Sequence, residues 1–411
     1  MRLSPGLNMF RLALLFVAFI VYGSLLPFTD WRTPDTELFT FLLHWPQSVE
    51  RADIVQNVLA YAPLGLFIVL WRRQVRSMAP PLLIALACGT SLSLLMEILQ
   101  QFEPARTSSL SDLAMNALGT LGGALLGGLL DPRASSTRRL RDARDAWLVA
   151  GTLPNIGIAA LALWFLSQTS PLVPTFDIGQ LRKALAPIWY ALHDPDMLRV
   201  PALLVYACNI FAVGLLLRLL VLPGKHPVIL FIALIGTTFV AKILVQDRQL
   251  SLEAIIGGAI AAVVVLLWRS KQWKPNGIAA IISLAAGVVI GELAPGSGPL
   301  QPDFNWIPLV GQMRTLSGLE SILEVFWPFF TMAFFARGMT SPYRRQAVSL
   351  LGGLVICASV FVLEWMQLDL PGRYGDITQV LLALAGWAVP WTFAYADYAP
   401  LRRPAPVAAR Y

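Results

Sequence analysis

Charge is scarce in this chain. Only 13% of its 411 residues are Asp, Glu, Lys or Arg, whereas soluble proteins carry about 25%. Hydrophobic residues make up 56% of the sequence, and the mean hydropathy is +0.65. This deficit of charge excludes an ordinary soluble domain, so we predict an all-α polytopic membrane protein.

Cysteine and histidine are also few. The three Cys are scattered, and each falls inside an apolar run, where Cys behaves as a small hydrophobe. An odd, scattered set excludes a disulfide framework, and together with three dispersed His it offers no metal-ligand spacing. We therefore expect no metal site and no cofactor. The residues concerned are Cys88, Cys208, Cys357, His44, His193 and His226.

Long apolar runs, in contrast, follow one another along the chain. A helix needs about 20 predominantly apolar residues to cross the hydrocarbon core of a bilayer. About 12 runs approach this length, and we interpret the first as a retained helix rather than a cleaved signal peptide. The predicted spans are 9–28, 54–71, 80–99, 112–130, 146–166, 200–222, 226–245, 252–268, 277–294, 319–337, 346–365 and 376–396.

Positive charge is distributed unevenly between the two sides of these spans. With the N-terminus placed in the cytoplasm, 21 of the 31 Lys and Arg fall on the cytoplasmic side and 10 on the other. Cytoplasmic loops carry such an excess, so both termini are predicted to be cytoplasmic. The same rule explains the net charge of +7. We therefore expect membrane lipid, and no nucleic acid, as a partner.

The spans group by fours into three predicted repeats. Each group opens with a long outer loop and continues with a short inner and a short outer turn. An even number of spans per repeat gives parallel repeats, all the same way up. The predicted domains are residues 1–130, 146–268 and 277–398.

A polar motif recurs near the outer ends of two repeats. Ionisable residues at a membrane margin are costly and are functional by default. In the middle repeat Lys242 is taken to stand where the other copies have Glu, and we interpret this repeat as degenerate. The two copies are Glu97-x-x-Gln100-x5-Arg106 and Glu364-x-x-Gln367-x5-Arg373, the second with Asp376 opening its last span and a shorter turn.

The first repeat adds further polar residues at similar depth on three helices. Its candidate polar site comprises Asp53, Asn57, Glu97, Gln100, Arg106, Asp112 and Asn116, while Glu364, Gln367, Arg373 and Asp376 form a secondary one. Arg106 would pair with Glu97 or Asp112, or hold a phosphate or carboxylate. A structural interpretation stays open, because such groups also form inter-helix networks and Asp112 suits a helix N-cap.

Small residues form a stripe on the fourth span. Gly119, Gly123 and Gly127 lie four apart, and this spacing allows close helix contact. We favour packing within the chain over a dimer interface. The oligomeric state is left open.

These residues together resemble the VanZ family. The resemblance covers residues 10–130 well and 300–396 in part. It implies a multi-span bacterial membrane protein. The founding member of the family is associated with resistance to the glycopeptide teicoplanin. The residues that carry it are Tyr22-Gly23-Ser24-Leu25-Leu26-Pro27-Phe28, Asp53-x3-Asn57-x5-Pro63-Leu64-Gly65, Glu97-x-x-Gln100, Arg106 and Asp112-x3-Asn116-x-x-Gly119.

Four functions stay open at this point. The first is an inner-membrane protein of the bacterial envelope whose outer-facing polar pocket binds an anionic cell-surface lipid or a glycan precursor through Arg106. The second is an enzyme with Glu97 or Asp112 as general acid or base. The third is a transporter, which 12 spans and internal repeats suit. The fourth is a structural scaffold without a small ligand.

Overall fold

The structure, a computed structural model, describes residues 5–28, 30–34, 37–46, 49, 51–72, 79–104, 106–129, 135–313 and 317–393. Within these ranges it contains 14 α-helices and no β-strand, only isolated bridges. The helices are α1 (Pro5–Ser24), α2 (Arg51–Arg72), α3 (Ala79–Gln100), α4 (Leu110–Leu129), α5 (Ser135–Asp145), α6 (Thr152–Thr169), α7 (Ile178–His193), α8 (Val200–Leu220), α9 (Pro227–Leu244), α10 (Leu252–Leu267), α11 (Trp273–Leu293), α12 (Ser317–Met339), α13 (Arg345–Met366) and α14 (Ile377–Thr392).

Each of the 12 predicted spans coincides with one of these helices. The other two are α5, which is strongly polar, and the amphipathic α7. Seven helices are long and apolar enough to cross a membrane: α2, α3, α8, α9, α11, α12 and α13. Three more, within α1, α10 and α14, are apolar but shorter. The membrane-protein prediction is thus confirmed in its coarse form, while the number of spans stays a prediction, as does the side on which the termini lie. The termini themselves, residues 1–4 and 394–411, lie outside the described residues.

The chain divides into two compact units. Unit 1 comprises Met1–Arg144 with Leu309–Leu319, and unit 2 comprises Asp145–Pro308 with Glu320–Tyr411. In unit 1, α2 packs most extensively against α4 and also contacts α1 and α3. Tyr61 and Leu64 are buried at the centre of this bundle.

The contact between α2 and α4 depends on glycine. A Cβ atom at Gly119 would overlap the backbone of Val58, and one at Gly123 would overlap the backbone of Ala62. The predicted glycine stripe therefore packs inside the chain. Small residues allow this approach where van der Waals contact is the main attraction between helices.

The core of unit 2 forms around α12. Trp327, Phe334 and Phe335 of this helix are almost fully buried, and α8 packs closely against α10 and α11. The opposite pattern holds on α13, where Leu350, Leu351 and neighbouring apolar side chains are exposed. Exposed apolar helix faces of this kind fit a lipid environment.

Candidate functional site

The first motif copy holds the end of α1. The Arg106 guanidinium (NH2) donates to the carbonyl oxygens of Gly23 at 3.2 Å and Leu26 at 2.9 Å. The Gln100 side-chain amide donates to the carbonyl oxygen of Ser24 at 2.9 Å. The last carbonyls of a helix have no partner within it, so these side chains satisfy acceptors that would otherwise lie unpaired.

One of the two roles predicted for Arg106 is not found. Arg106 forms an ion pair with neither Glu97 nor Asp112, while the binding of a phosphate or carboxylate stays a prediction. The reason is geometric, because the guanidinium lies against the backbone at the end of α1. A pattern of charged side chains does not reveal a backbone acceptor, since every residue carries one.

Glu97 connects the end of α3 to the start of α4. Its side chain is only 3% exposed, and its Oε2 atom accepts a hydrogen bond from the backbone N–H of Ser109 at 2.8 Å. The Ser108 hydroxyl donates to the backbone carbonyl of Glu97. These contacts fix the turn between two helices, as the structural interpretation of the motif requires.

The remaining residues of the first site form a polar cluster between α2, α3 and α4. The Asn57 amide hydrogen-bonds to the Asp112 carboxylate, which is also close enough to Asp53 for charge repulsion. Deeper in the bundle, the Asn116 amide donates to the Ser93 hydroxyl at 2.9 Å. Asp53 is exposed, whereas Asn116 is buried. The structure thus brings Asp53, Asn57 and Asp112 together and pairs Asn116 with Ser93 instead.

Tyr61 and Ser93 also belong to this cluster, and neither was predicted from the sequence. The Tyr61 side chain is buried beside Ser93 and Glu97. The spacing of the sequence does indicate both residues, because residues four apart lie on the same face of a helix. Tyr61 lies four residues after Asn57, and Ser93 lies four residues before Glu97.

The copy at Arg373 makes the corresponding contacts in unit 2. Arg373 donates through Nε to the Ala294 carbonyl at 2.9 Å and through NH2 to the Gly291 carbonyl at 2.6 Å, at the end of α11. Gln367 donates to the Glu292 carboxylate at 2.8 Å. Glu292 was not among the predicted site residues, because nothing near it in the sequence marks it as a partner of Gln367.

Asp376 takes the place of Ser109 rather than that of Asp112. Its backbone N–H donates to Glu364 Oε2 at 2.9 Å, just as the Ser109 N–H donates to Glu97. Each donor follows its glutamate by 12 residues. The turn in this copy is therefore not shorter, and the Asp376 carboxylate caps α14 by accepting the Thr378 N–H at 2.8 Å.

The middle copy keeps the arginine contact. Arg248 donates through Nε to the Gln168 carbonyl at 3.0 Å and through NH2 to the Ser167 carbonyl at 2.6 Å, at the end of α6. It also forms an ion pair with Glu320. Lys242 precedes Arg248 by six residues, the same separation as Gln100 from Arg106. Lys242 therefore corresponds to the glutamine of the motif and not to the glutamate.

A polar cavity lies beside the first motif copy. Its volume is about 300 Å³, and we call it the unit 1 cavity. Its polar lining comes from Arg32, Thr33, Gln101, Glu103, Arg106, Thr107 and Ser108.

Glu103 is the unusual member of this lining. Its side chain is 1% exposed, yet neither carboxylate oxygen has a hydrogen-bond partner among the described residues. Burial raises the pKa of the Glu103 carboxyl above its ordinary value, the charge of Asp30 also raises it, and the charge of Arg106 acts in the opposite direction. Glu103 was not among the predicted site residues, although it lies in the short turn between Gln100 and Arg106.

The comparison with known families covers the helices that build this site. Residues 9–131 match the VanZ/LLP1 family model. This part of the chain is VanZ-like. The resemblance predicted from the sequence is thereby confirmed over that range, which contains α1–α4 and the first motif copy. No curated protein and no solved structure matches the chain. In the part of the chain that the structure describes, no group of three His, Cys, Asp or Glu residues is suited to hold a metal ion.

Proposed function

We propose that the chain is an integral membrane protein of the bacterial envelope that binds a glycan-bearing lipid intermediate in the unit 1 cavity. The observation that carries this proposal is Glu103, a buried carboxylate whose oxygens accept no hydrogen bond from any residue that the structure describes. Leaving a buried polar group unsatisfied costs about 1–3 kcal/mol. A ligand hydroxyl or amide placed in the cavity would remove this cost.

The rest of the lining favours a glycan joined to an anionic group. Gln101, Thr107 and Ser108 offer amide and hydroxyl groups, which suit a polyhydroxylated ligand. Arg32 brings positive charge to the same cavity, and guanidinium groups bind phosphate well. Glu97, Gln100 and Arg106 then act as positioning residues, because their contacts hold the helix ends around the cavity.

Binding to the Glu103→Gln variant tests this proposal. The probe is polyprenyl-phosphate-linked N-acetylglucosamine, added to the full chain in nanodiscs, and polyprenyl phosphate without the sugar is the second arm. We expect about tenfold weaker binding of the sugar probe, because a carboxylate accepts from hydroxyls more strongly than an amide does. Binding of the sugar-free probe should change little.

A matched control is Glu37→Gln, since Glu37 is an exposed residue of unit 1 outside the cavity. It should bind both probes as the natural chain does. Equal affinity of the Glu103→Gln variant and the natural chain for the sugar probe would contradict the proposal.

The same substitution is expected to stabilise the protein. Because the pKa of Glu103 is raised on folding, the folded state holds the proton more tightly than the unfolded state. Its contribution to stability is present below the unfolded pKa and is lost as pH rises through the folded pKa. The Gln variant should therefore be more stable at pH 7 by about 1 kcal/mol, and the difference should vanish towards about pH 4. Thermal unfolding across this pH range measures it, and a lower stability at pH 7 would contradict the account.

We also infer three repeats of four helices. Arg106, Arg248 and Arg373 each donate to two carbonyls at the end of the first helix of its predicted repeat. This shared contact supports the inference. It applies also to the middle repeat, whose side chains otherwise diverge.

The outer location of the motif can be tested by cysteine labelling. In a chain whose three native cysteines are replaced, Ser109→Cys should react with a membrane-impermeant maleimide in intact spheroplasts. Ser341→Cys, in the exposed turn between α12 and α13, should react only after permeabilisation. The reverse pattern would overturn the proposed orientation with cytoplasmic termini.

A further inference from the structure

Unit 2 contains a second and larger cavity. Its volume is about 720 Å³, within the range of roughly 300–1,000 Å³ that small-molecule sites occupy. The first half of α8, the last third of α11 and the first half of α12 supply its walls. We call it the unit 2 cavity.

This cavity reaches deep into the unit. Its mouth includes the exposed residues Arg199 and Gly296, and on α8 its lining extends to Asn209. At a rise of 1.5 Å per residue, the lined part of α8 from Val200 to Asn209 measures about 14 Å. This is close to half of a hydrocarbon core that is ~30 Å thick.

Glu324 is the charge that faces this space. It lies in the first half of α12, lines the cavity, and has a solvent-accessible side chain. It forms no ion pair with a Lys or Arg in the part of the chain that the structure describes, although it shares a side-chain hydrogen bond with Glu320 and lies near enough to Arg248 and Lys242 for attraction. The two nearest cations make other contacts, since Arg248 pairs with Glu320 and the Lys242 ammonium donates to the Tyr206 hydroxyl at 3.1 Å.

The charges nearer the mouth already interact within the fold, and Arg199 lies near enough to Glu253 for attraction. Arg373 donates to the carbonyls of Gly291 and Ala294. Glu292 accepts from Gln367 and lies near enough to Arg373 for attraction. An anionic ligand would have to compete for these groups, whereas a cation would find in Glu324 a carboxylate whose hydrogen-bond partner is a second carboxyl group, that of Glu320.

The uncharged lining suits the apolar part of such a cation. Val205 and Val288 offer aliphatic surface, and Tyr206 and Trp327 offer aromatic rings. Aromatic rings attract organic cations through their electron-rich faces, and an ionisable residue at membrane depth is functional by default. We propose that the unit 2 cavity binds an amphipathic organic cation, with Glu324 as its counter-ion and Tyr206 and Trp327 as aromatic walls.

Tetraphenylphosphonium and tetraphenylborate form a matched pair of probes, because they share size and shape and differ in the sign of charge. Binding of each is measured by equilibrium dialysis against the full chain in nanodiscs, with empty nanodiscs as the blank. Glu324→Gln should weaken binding of the phosphonium at least tenfold and leave any binding of the borate unchanged. Asp303→Asn is the control, since Asp303 is exposed and lies outside the cavity.

A second variant closes the cavity instead of removing its charge. A Cβ atom at Gly291 would meet only Val205, at 3.6 Å, so Gly291→Leu should fold and fill part of the space. This variant should also lose phosphonium binding, and its unfolding temperature should equal that of the natural chain.

Full phosphonium binding by either variant would overturn the proposal. Tighter binding of the borate than of the phosphonium, abolished by Arg199→Gln, would overturn it in favour of an anionic ligand. Glu103→Gln should leave phosphonium binding intact, because this site does not depend on the function proposed for unit 1.

Discussion

Replacing Arg373 with alanine is expected to lower the free energy of unfolding by about 3–5 kcal/mol. Its guanidinium donates to two carbonyls at the end of α11, and hydrogen bonds to charged groups contribute about 1.5–3 kcal/mol each. The substitution would also leave Glu292 and Glu364 without the cation that attracts them both. Thermal unfolding of the purified chain, or its rate of proteolysis in detergent, measures the loss.

Two further variants make this test specific. Arg373→Lys keeps the charge but cannot donate to two carbonyls with a rigid, planar group, so it should recover less than half of the lost stability. Arg182 is exposed on α7, and Arg182→Ala should change stability by no more than about 0.5 kcal/mol. Should Arg373→Ala prove as mild as Arg182→Ala, the arginine does not hold the end of α11.

Replacing Gly123 with alanine should destabilise unit 1 by about 2–3 kcal/mol, near the top of the usual range for overpacking. The added methyl group would overlap the backbone of Ala62, and backbone yields less easily than a side-chain tip. The contact between α2 and α4 would have to open. A lower unfolding temperature of the full chain would report this effect.

The neighbouring Gly122 provides the matched control. A Cβ atom there meets nothing within 4 Å. Gly122→Ala should therefore raise the free energy of unfolding by up to about 1 kcal/mol, because alanine favours the helix over glycine. Equal effects of the two substitutions would show that helix propensity, and not contact with α2, decides the role of these glycines.

Much of the fold could be predicted from the chain itself. Each of the 12 apolar runs predicted as spans coincides with a helix, because the length and composition of such a run are local properties of the sequence. The glycine stripe was also interpretable, since its spacing places Gly119, Gly123 and Gly127 on one helix face. The division into two units was not foreseen, because residues 309–319 join unit 1 across a long separation in sequence.

The candidate site was predictable in location more than in detail. Glu97, Gln100 and Arg106 do lie together, yet three of their partners are backbone carbonyls at the end of α1. Spacing along one helix cannot reveal such acceptors. Glu103 has an ordinary sequence context, and only the folded turn shows that its oxygens are buried.

The unit 2 cavity illustrates the same limit on the larger scale. Neither Glu324 nor Asn209 is among the site residues predicted from the sequence. Their shared cavity arises because α8, α11 and α12 come together in the fold, and the separation of these helices in sequence conceals that.

In the function proposed for unit 1, the motif carboxylate Glu97 holds the fold and its neighbour Glu103 binds the ligand. Affinity for polyprenyl-phosphate-linked N-acetylglucosamine, measured on Glu97→Gln and Glu103→Gln in parallel, tests it most directly. Glutamine at position 97 can still accept from the Ser109 N–H, so this variant should bind within about twofold of the natural chain, whereas the variant at position 103 should bind about tenfold more weakly. Loss of binding at position 97 with full binding at position 103 would contradict the account.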